Sequence, residues 1–537
     1  MKMKATEIQM GSDCARIRRQ ARAGRRLTII IVFLMTLSPV SGSAQAVYFN
    51  NRYNLYPFNT WDYSKTILEV EDGYIISGAT GGDNNLHNMA LTKLNKLGEV
   101  VWSKYMSDFD NSYSPGYSGS LLKYSEDVYF GAGIARSYTS NWVYDRGLLI
   151  KYNSEFDTLW KKEYGETSAP FDTSYLFRNL TFALDGGIIM TGSWVEYSTE
   201  IMNAHAYLIK TDTSGNKLWE HVYTNLPGDV QGYSVISTTD GGYAIGAFQY
   251  YHVPPSDETG DPLVIKTDSL GNFEWVKNLG SEYSDSQDML ALSTDGNILV
   301  YCTYAVLNNP GSDSYKSPQV TKLDNNGSII WERRYLKPKH FTYPGNLYVD
   351  ADGSIILCGK TMVSFPRNTG WMMKLTSDGD SLWYRQYSLM IGNDSEHMLY
   401  DVIPASDNGY IACGYVNPVL PDTGTQDVWV VKVDSMGCES PTFCWVGIEE
   451  QQVAPKMGEL LAFPNPAKDF FRVQFQQVSQ KSLLQFVDMT GRKAEETNIT
   501  PFTTTEVLNC SHWPPGVYFG QLICDGKIVA KGKVVVK

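Results

Sequence analysis

The chain has 537 residues, of which 43% are hydrophobic, 13% aromatic and only 19% charged, and it counts 35 Tyr. This usage supplies a buried core and excludes a disordered chain. The net charge is −13. The first 46 residues carry eight basic and two acidic side chains, a net of +6, which leaves −19 on the rest and argues against a nucleic-acid partner.

The N-terminus has the layout of a secretory signal. Arg16, Arg18, Arg19, Arg22, Arg25 and Arg26 precede an apolar run over 27–40, and Ala44-Gln45-Ala46 fits an A-x-A cleavage site. The run is shorter than the roughly 20 residues of a membrane span. Residues 1–46 are therefore predicted to be a signal peptide, with no transmembrane segment in the mature chain.

Residues 47–437 are dominated by two recurring phrases. In one, Trp follows Lys by nine residues across a Gly-containing turn: Lys93/Trp102, Lys151/Trp160, Lys210/Trp219, Lys266/Trp275, Lys322/Trp331 and Lys374/Trp383. The other is an Asp turn leading into an apolar strand, at Asp72, Asp127, Asp185, Asp240, Asp295, Asp352 and Asp407. The spacing of 55 to 58 residues, filled with strand-turn-strand units, predicts a seven-bladed β-propeller. The six Trp read as structural plates between blades. The seventh repeat has Lys432 but no Trp, and the missing strand is predicted from the other end of the chain. The common offset of 25 residues before the Asp turn lands on Val47, so residues 47–53 should pair beside Val430–Val433 and leave no free sheet edge.

In an up-and-down blade the short Asp-Gly turns fall on one face and the long connections on the other. The long connections (136–147, 195–207, 250–262, 305–319 and 416–427) are rich in Tyr, Asp, Asn and Ser, and variable loops on a rigid scaffold are where binding residues concentrate. The long-loop face is thus the expected site for a glycan, peptide or protein ligand. Cys302, Cys358 and Cys413 recur six or seven residues after the Asp of successive repeats and read as small buried residues. Cys438 and Cys444 bracket a short loop in an exported chain and predict a disulfide, with Cys510 and Cys524 a second candidate pair. Residues 438–459 form a linker containing that loop.

Residues 460–537 alternate in strand fashion around turns at Asp488-Met489-Thr490-Gly491 and Asp525-Gly526. This stretch resembles the type A C-terminal sorting domain of the type IX secretion system of the Bacteroidetes. The resemblance rests on Pro464-Asn465-Pro466 with Asp469, on Gly491-Arg492, on Gly516 and Tyr518 in Gly-Val-Tyr-Phe, and on the basic end at Lys537. It implies a small Ig-like β-sandwich that engages the type IX machinery, and a protein secreted or attached to the outer-membrane surface after periplasmic transit.

The Lys/Trp phrase is similar to the tryptophan-docking motif of quinoprotein dehydrogenases, but the vicinal Cys pair expected there is absent. The Asp turns are similar to sialidase Asp boxes, but the Asp-to-Trp distance is mostly longer. The seven His are scattered, with no HExxH, and no Gly-x-Ser-x-Gly elbow occurs. Asp324-Asn325-Asn326-Gly327 has its Gly too early for an EF-hand loop and reads as a hairpin turn. No catalytic residue, cofactor or metal is assigned, and the expectation is a non-enzymatic binding module. Its alternative is a propeller-fold carbohydrate-active enzyme of glycosidase or lyase class, built from carboxylates converging from different blades.

Overall fold

Local turn chemistry explains why the strands begin and end where they do. Asp212, Asp268, Asp324 and Asp434 each accept, on one carboxylate oxygen, the backbone N–H groups two and four residues further on. The Gly three residues after each Asp adopts a positive φ, from +74° at Gly215 to +81° at Gly271, which L side chains resist. The apolar runs on either side pair as antiparallel hairpins.

The structure is a computed structural model. It describes residues 47–537 except 56–60, 82–86, 107–110, 139–142, 166–172, 198–201, 254–256, 308–313, 336–340, 365–366, 391–394, 419–423, 440–457, 464–466, 468–469, 477–479, 500–504 and 537. The described part is all β. Asp62–Val70, Gly73–Gly81, His87–Asn95 and Val100–Met106 form the first four-stranded sheet. In the second, Asn111–Pro115 and Leu121–Ser125 share the edge of Val128–Tyr138, followed by Val143–Tyr152 and Thr158–Tyr164. Two more four-stranded sheets run from Thr173–Phe182 to Lys217–Val222 and from Asp229–Ser237 to Phe273–Asn278. The strands from Met289–Leu292 to Ser381–Tyr387 make one eight-stranded sheet, its halves joined by a single parallel pairing of Lys316 with Phe341. The last sheet takes Glu396–Pro404, Tyr410–Asn417 and Asp427–Val433, then adds Phe49–Tyr53 in antiparallel register, Phe49 opposite Lys432 and Tyr53 opposite Val428.

Successive sheets bury apolar residues against each other. One hydrophobic cluster joins Ile75 and Leu91 to Tyr113 and Leu148, and the next joins Phe130 and Leu149 to Phe177 and Ile209. A further cluster joins Ile411 and Val430 of the last sheet to Ile67 and Ile76 of the first. The opening strands of the sheets are stitched the same way. Asn179 donates to Ser118 O (2.7 Å) and accepts from Val235 N (3.1 Å), and Asp401 accepts from Asn346 (2.7 Å) and from Ile67 N (3.1 Å). The sheets therefore close on themselves in a propeller-like ring.

Both recurring phrases have a physical role in that ring. The Lys on the third strand of a sheet forms an ion pair with the Asp of that sheet's first turn: Lys93–Asp72, Lys210–Asp185, Lys266–Asp240, Lys322–Asp295 and Lys432–Asp407. The Trp on the fourth strand lies against the turn glycine of the four-stranded unit that follows, which for Trp331 is the second half of the eight-stranded sheet. Trp160, Trp219, Trp275, Trp331 and Trp383 meet Gly215, Gly271, Gly327, Gly379 and Gly437. Trp275 and Trp383 also donate their indole N–H to Asn325 O (3.0 Å) and Ser435 O (3.1 Å) of those turns. Trp102 meets Phe156 instead, which holds the left-handed position at φ +58°. At the closure, Phe49 lies against Gly98 as the Trp do elsewhere, and Tyr53 Oη donates to Gly98 O at 2.7 Å.

Residues 460–536 have a hydrophobic cluster of their own. A three-stranded sheet (Leu461–Phe463, Phe470–Gln474, Thr505–Asn509) and a four-stranded sheet (Lys493–Ile499, Ser482–Asp488, Gly516–Cys524, Lys527–Val536) both contribute to it. Its centre is aromatic: Phe471 meets Phe486 at 5.1 Å and Trp513 at 5.5 Å between ring centroids, and Trp513 meets Tyr518 at 4.7 Å.

Candidate functional site

The opening strand of several sheets contains a register shift at one place. The pairing slips between Ser64 and Thr66, Phe177 and Asn179, Gly232 and Ser234, and Leu399 and Asp401. The residues released from the ladder are Lys65, Arg178, Tyr233 and Tyr400. Each lies seven residues before its Asp turn, at Asp72, Asp185, Asp240 and Asp407. A bulge re-aims the side chain it frees, and here the freed side chains gather. Lys65 Nζ sits 3.3 Å from the ring centroid of Tyr400, 4.6 Å from that of Tyr117 and 5.5 Å from that of Tyr63. The Arg178 guanidinium lies 4.4 Å from the centroid of Tyr233, whose ring meets Tyr117 edge-on at 5.4 Å.

Beside this cluster opens a cavity of about 390 Å³, within the usual range for small-ligand sites. Its lining includes Tyr63, Lys65, Tyr117, Tyr400 and Tyr415, with Ser112, Ser114 and Gln426 as neutral polar groups and His87 and Arg136 on one wall. No Asp or Glu is among those residues. Tyr63 and Lys65 start their strand, His87 starts the third strand of the same sheet, and Arg136 and Tyr415 lie near the ends of second strands. All of these positions fall on the long-loop side of the blades.

The charges around the cavity differ in how far they are committed. Arg136 is held by both oxygens of Asp145, at 2.6 and 2.9 Å. Buried Arg178 donates to Ser193 Oγ, Gly232 O and Gln231 Oε1, all neutral. Asp401, beside Tyr400, is occupied by Asn346, Ile67 N and Val402 N, and burial pushes its carboxyl up to about 6. Lys65 has aromatic faces and no hydrogen-bond acceptor or carboxylate among the described residues. Crowding by protein pulls its amine down to about 7, although the cavity leaves the side chain partly exposed. Desolvation pushes Tyr63 up to about 12 and raises Tyr117, Tyr400 and Tyr415, so these phenols stay protonated near neutral pH. Desolvation, with Arg136 nearby, lowers His87 and keeps it neutral there.

The site residues expected from sequence fall elsewhere. Trp102, Trp160, Trp219, Trp275, Trp331 and Trp383 belong to the packing between sheets. Cys302, Cys358 and Cys413 are fully buried on second strands, and burial raises their thiols. No group of three His, Cys, Asp or Glu that could hold a metal ion occurs among the described residues. Cys438 is disulfide-bonded, while Cys444 lies outside the described residues. The second candidate pair, Cys510 with Cys524, is corrected: neither is in a disulfide, and they lie on different sheets' segments, Cys510 just after Thr505–Asn509 and Cys524 at the end of Gly516–Cys524.

In the terminal module, Gly491 takes φ +84° in a turn anchored by Asp488, which accepts from Thr490 N, Arg492 N and Arg492 Nε. The Thr490 hydroxyl first, and these other donors with it, holds the Asp488 carboxyl down at about 2. Gly516 opens a strand, and Tyr518 Oη donates to Pro514 O at 2.6 Å. Pro464, Asn465, Pro466, Asp469 and Lys537 lie outside the described residues, as do the signal segment 1–46 and much of the linker.

Comparison with known proteins bears on this module first. Residues 461–537 match the secretion system C-terminal sorting domain. The sorting domain marks the chain as cargo handled by the type IX machinery and delivered to the cell surface or beyond it. No helix among the described residues is long and apolar enough to cross a membrane. No curated protein matches the chain.

Solved structures that resemble it include a protein of unknown function from Dyadobacter fermentans (10% identity, TM-score 0.35, 60% of this chain and 93% of that one). Others are the β-propeller domain of the trilobed protease of Pyrococcus furiosus (10%, 0.39, 71% and 96%) and a family PL25 ulvan lyase (8%, 0.42, 72% and 96%). At these scores the likenesses decide nothing about the site, and the propeller-like reading stands on strand order and ring closure.

The sequence carried one signal for the cavity that the repeat phrases hid. The position seven residues before the Asp turn varies freely: Lys65, Ser120, Arg178, Tyr233, Asp288, Gly345, Tyr400. The Lys and Trp positions repeat because they pack. Of these, Lys65 and Tyr400 line the cavity, while Ser120 and Asp288 are buried.

Proposed function

We propose that this protein is a type IX cargo whose seven-bladed propeller is a non-enzymatic binding module, carried by an Ig-like type A sorting domain and displayed outside the cell. The eight-stranded sheet counts as two blades, because one parallel pairing joins two complete four-stranded meanders. The domains run 1–46, 47–437, 438–459 and 460–537, with Cys438 bonded to Cys444 across the first part of the linker.

The observation that carries the binding reading is the cavity on the long-loop face. Its described lining includes four Tyr, a lysine with no anionic partner among the described residues, three neutral polar side chains, His87 and Arg136. Such a surface offers ring faces and hydrogen-bond donors and suits recognition of a small extracellular ligand. The test is a glycan and peptide array on the mature protein, followed by the double variant Tyr63→Ala/Tyr415→Ala. Its hits should fall to background while the thermal midpoint stays within a few degrees. Hits that survive the double variant would move the site elsewhere.

The enzyme reading is favoured at this cavity only in its lyase form. A glycosidase pair needs two carboxylates, and the described residues of the lining include none. Neutral His87 and the Tyr63 phenol are groups of the kind that move a proton. Appearance of an unsaturated product in ultraviolet absorbance, on incubation with acidic polysaccharides, would replace the binding reading with this one.

A further inference from the structure

The geometry points to a carboxylate-bearing sugar, a uronate, as the ligand of the long-loop cavity, with the Lys65 ammonium as the group that receives its carboxylate. This inference rests on the binding reading above and adds the ligand's chemistry.

Lys65 is the uncommitted charge of the cavity. Arg136 is spent on Asp145, Arg178 on neutral acceptors, and Lys360, further out, on Glu396. Among the described residues, Lys65 meets the faces of Tyr400, Tyr117 and Tyr63 and no hydrogen-bond acceptor. Ring faces attract an ammonium but do not replace its hydration in full. An amine held there without an acceptor among the described residues leaves a place for one, and Lys65 lines the empty volume.

The remaining lining narrows the anion. One ammonium balances one negative charge. A phosphate or sulfate group calls for several converging N–H donors or a guanidinium fork, and the one lining guanidinium is already forked onto Asp145. The Tyr side chains line the cavity with aromatic surface of the kind that the C–H face of a pyranose covers. Around them Ser112, Ser114 and Gln426 supply the small neutral donors and acceptors that sugar hydroxyls use. An acidic peptide would use Lys65 but has no flat ring to match the Tyr faces.

Binding at this amine is tied to its proton. Near neutral pH the phenols, thiol and other bases facing Lys65 are fixed, while Asp401, beside Tyr400, is raised to about 6 and titrates just below Lys65. Tyr63 on its own strand, Tyr117, Tyr400, and Cys413 and Tyr415 on the neighbouring sheet are all raised, His87 is lowered, and Arg136 stays charged. Lys65 is the group of this set that changes charge around pH 7. A bound carboxylate favours the ammonium, so binding takes up a proton there, and affinity for the acid falls as pH rises above about 7.

The experiment is calorimetric titration of the mature full-length protein with a galacturonate trisaccharide, the corresponding galactose trisaccharide and a Glu-rich peptide. It is run at pH 7 in two buffers of different ionisation enthalpy. The acidic sugar should bind about tenfold tighter than the neutral one, with proton uptake visible as a buffer-dependent heat. Lys65→Met should remove the preference and the proton uptake, and Lys65→Arg should keep the preference. Equal affinity for the two sugars, a preference that survives Lys65→Met, or no measurable binding of the uronate overturns the inference. Binding of the peptide in place of the uronate overturns the ligand class. If the neutral sugar binds in a way that depends on Tyr63 and Tyr415, the binding reading stands while this inference falls. Array ligands that ignore both the Tyr and the Lys65 variants sink both.

Discussion

Asp288 stands at the repeat position held elsewhere by Lys65, Arg178, Tyr233 and Tyr400, but it is fully buried and neither carboxyl oxygen has a hydrogen-bond partner among the described residues. Burial drives its pKa well above the ordinary 3.8. A carboxyl in that state folds as the neutral acid and costs stability wherever the unfolded chain would ionise it. With the folded value raised, its stabilising contribution is complete below about pH 4 and is lost as pH rises toward the folded value. Asp288→Asn removes the titration and keeps the shape. The variant's urea midpoint relative to the parent should therefore be higher at pH 7 than at pH 4. A difference independent of pH would show that Asp288 is ionised in the fold. None of this is legible in the sequence, where Asp288 sits in a polar stretch (SEYSDSQD) that reads as loop. Its burial comes from the ring, which turns the start of each opening strand toward neighbouring sheets.

At the scale of the element, the sequence shows that Lys and Trp recur but not what each touches. The Lys stays within its own sheet and reaches back to the Asp turn, while the Trp reaches forward to the next sheet's turn. Phe49 was hidden because a search for Trp passes over a Phe that fills the same place against Gly98. Burial then grades the repeated ion pair. Lys432 is fully buried and bonded to both oxygens of Asp407 at 2.8 Å, whereas Asp72, the partner of Lys93, is 69% exposed. Removing the acid from the first pair strands a buried ammonium, and removing it from the second leaves one that water can reach. Asp407→Ala should cost about 3 kcal/mol, and Asp72→Ala less than about 1 kcal/mol. Chemical denaturation of the two variants measures the contrast directly. Equal losses would mean that burial of the ammonium does not set the cost.

At the scale of the molecule, the repeat spacing already predicts a ring, and the offset to Val47 already predicts that the two ends of the array meet. Pairing of Phe49–Tyr53 with Asp427–Val433 is how they do so. The cavity was not legible in the same way, because it depends on three sheets far apart in sequence (residues 63–65, 112–136 and 400–426) being brought together by that closure. The terminal module is the opposite case, since its address is written in short motifs. Its hydrophobic cluster runs from Leu460 to Val536, and the clusters of the ring draw on none of its residues. A chain ending at residue 459 should therefore keep the thermal transition of the ring. It should also be exported across the inner membrane and accumulate in the periplasm, because the sorting domain matched at residues 461–537 is gone. Fractionation of cells, with the melting curve of the purified truncation, checks both halves. Truncated protein found outside the cell would mean that the module is not the address. A lowered melting transition would mean that the ring leans on the module, and the boundary at 460 would have to move toward the C-terminus.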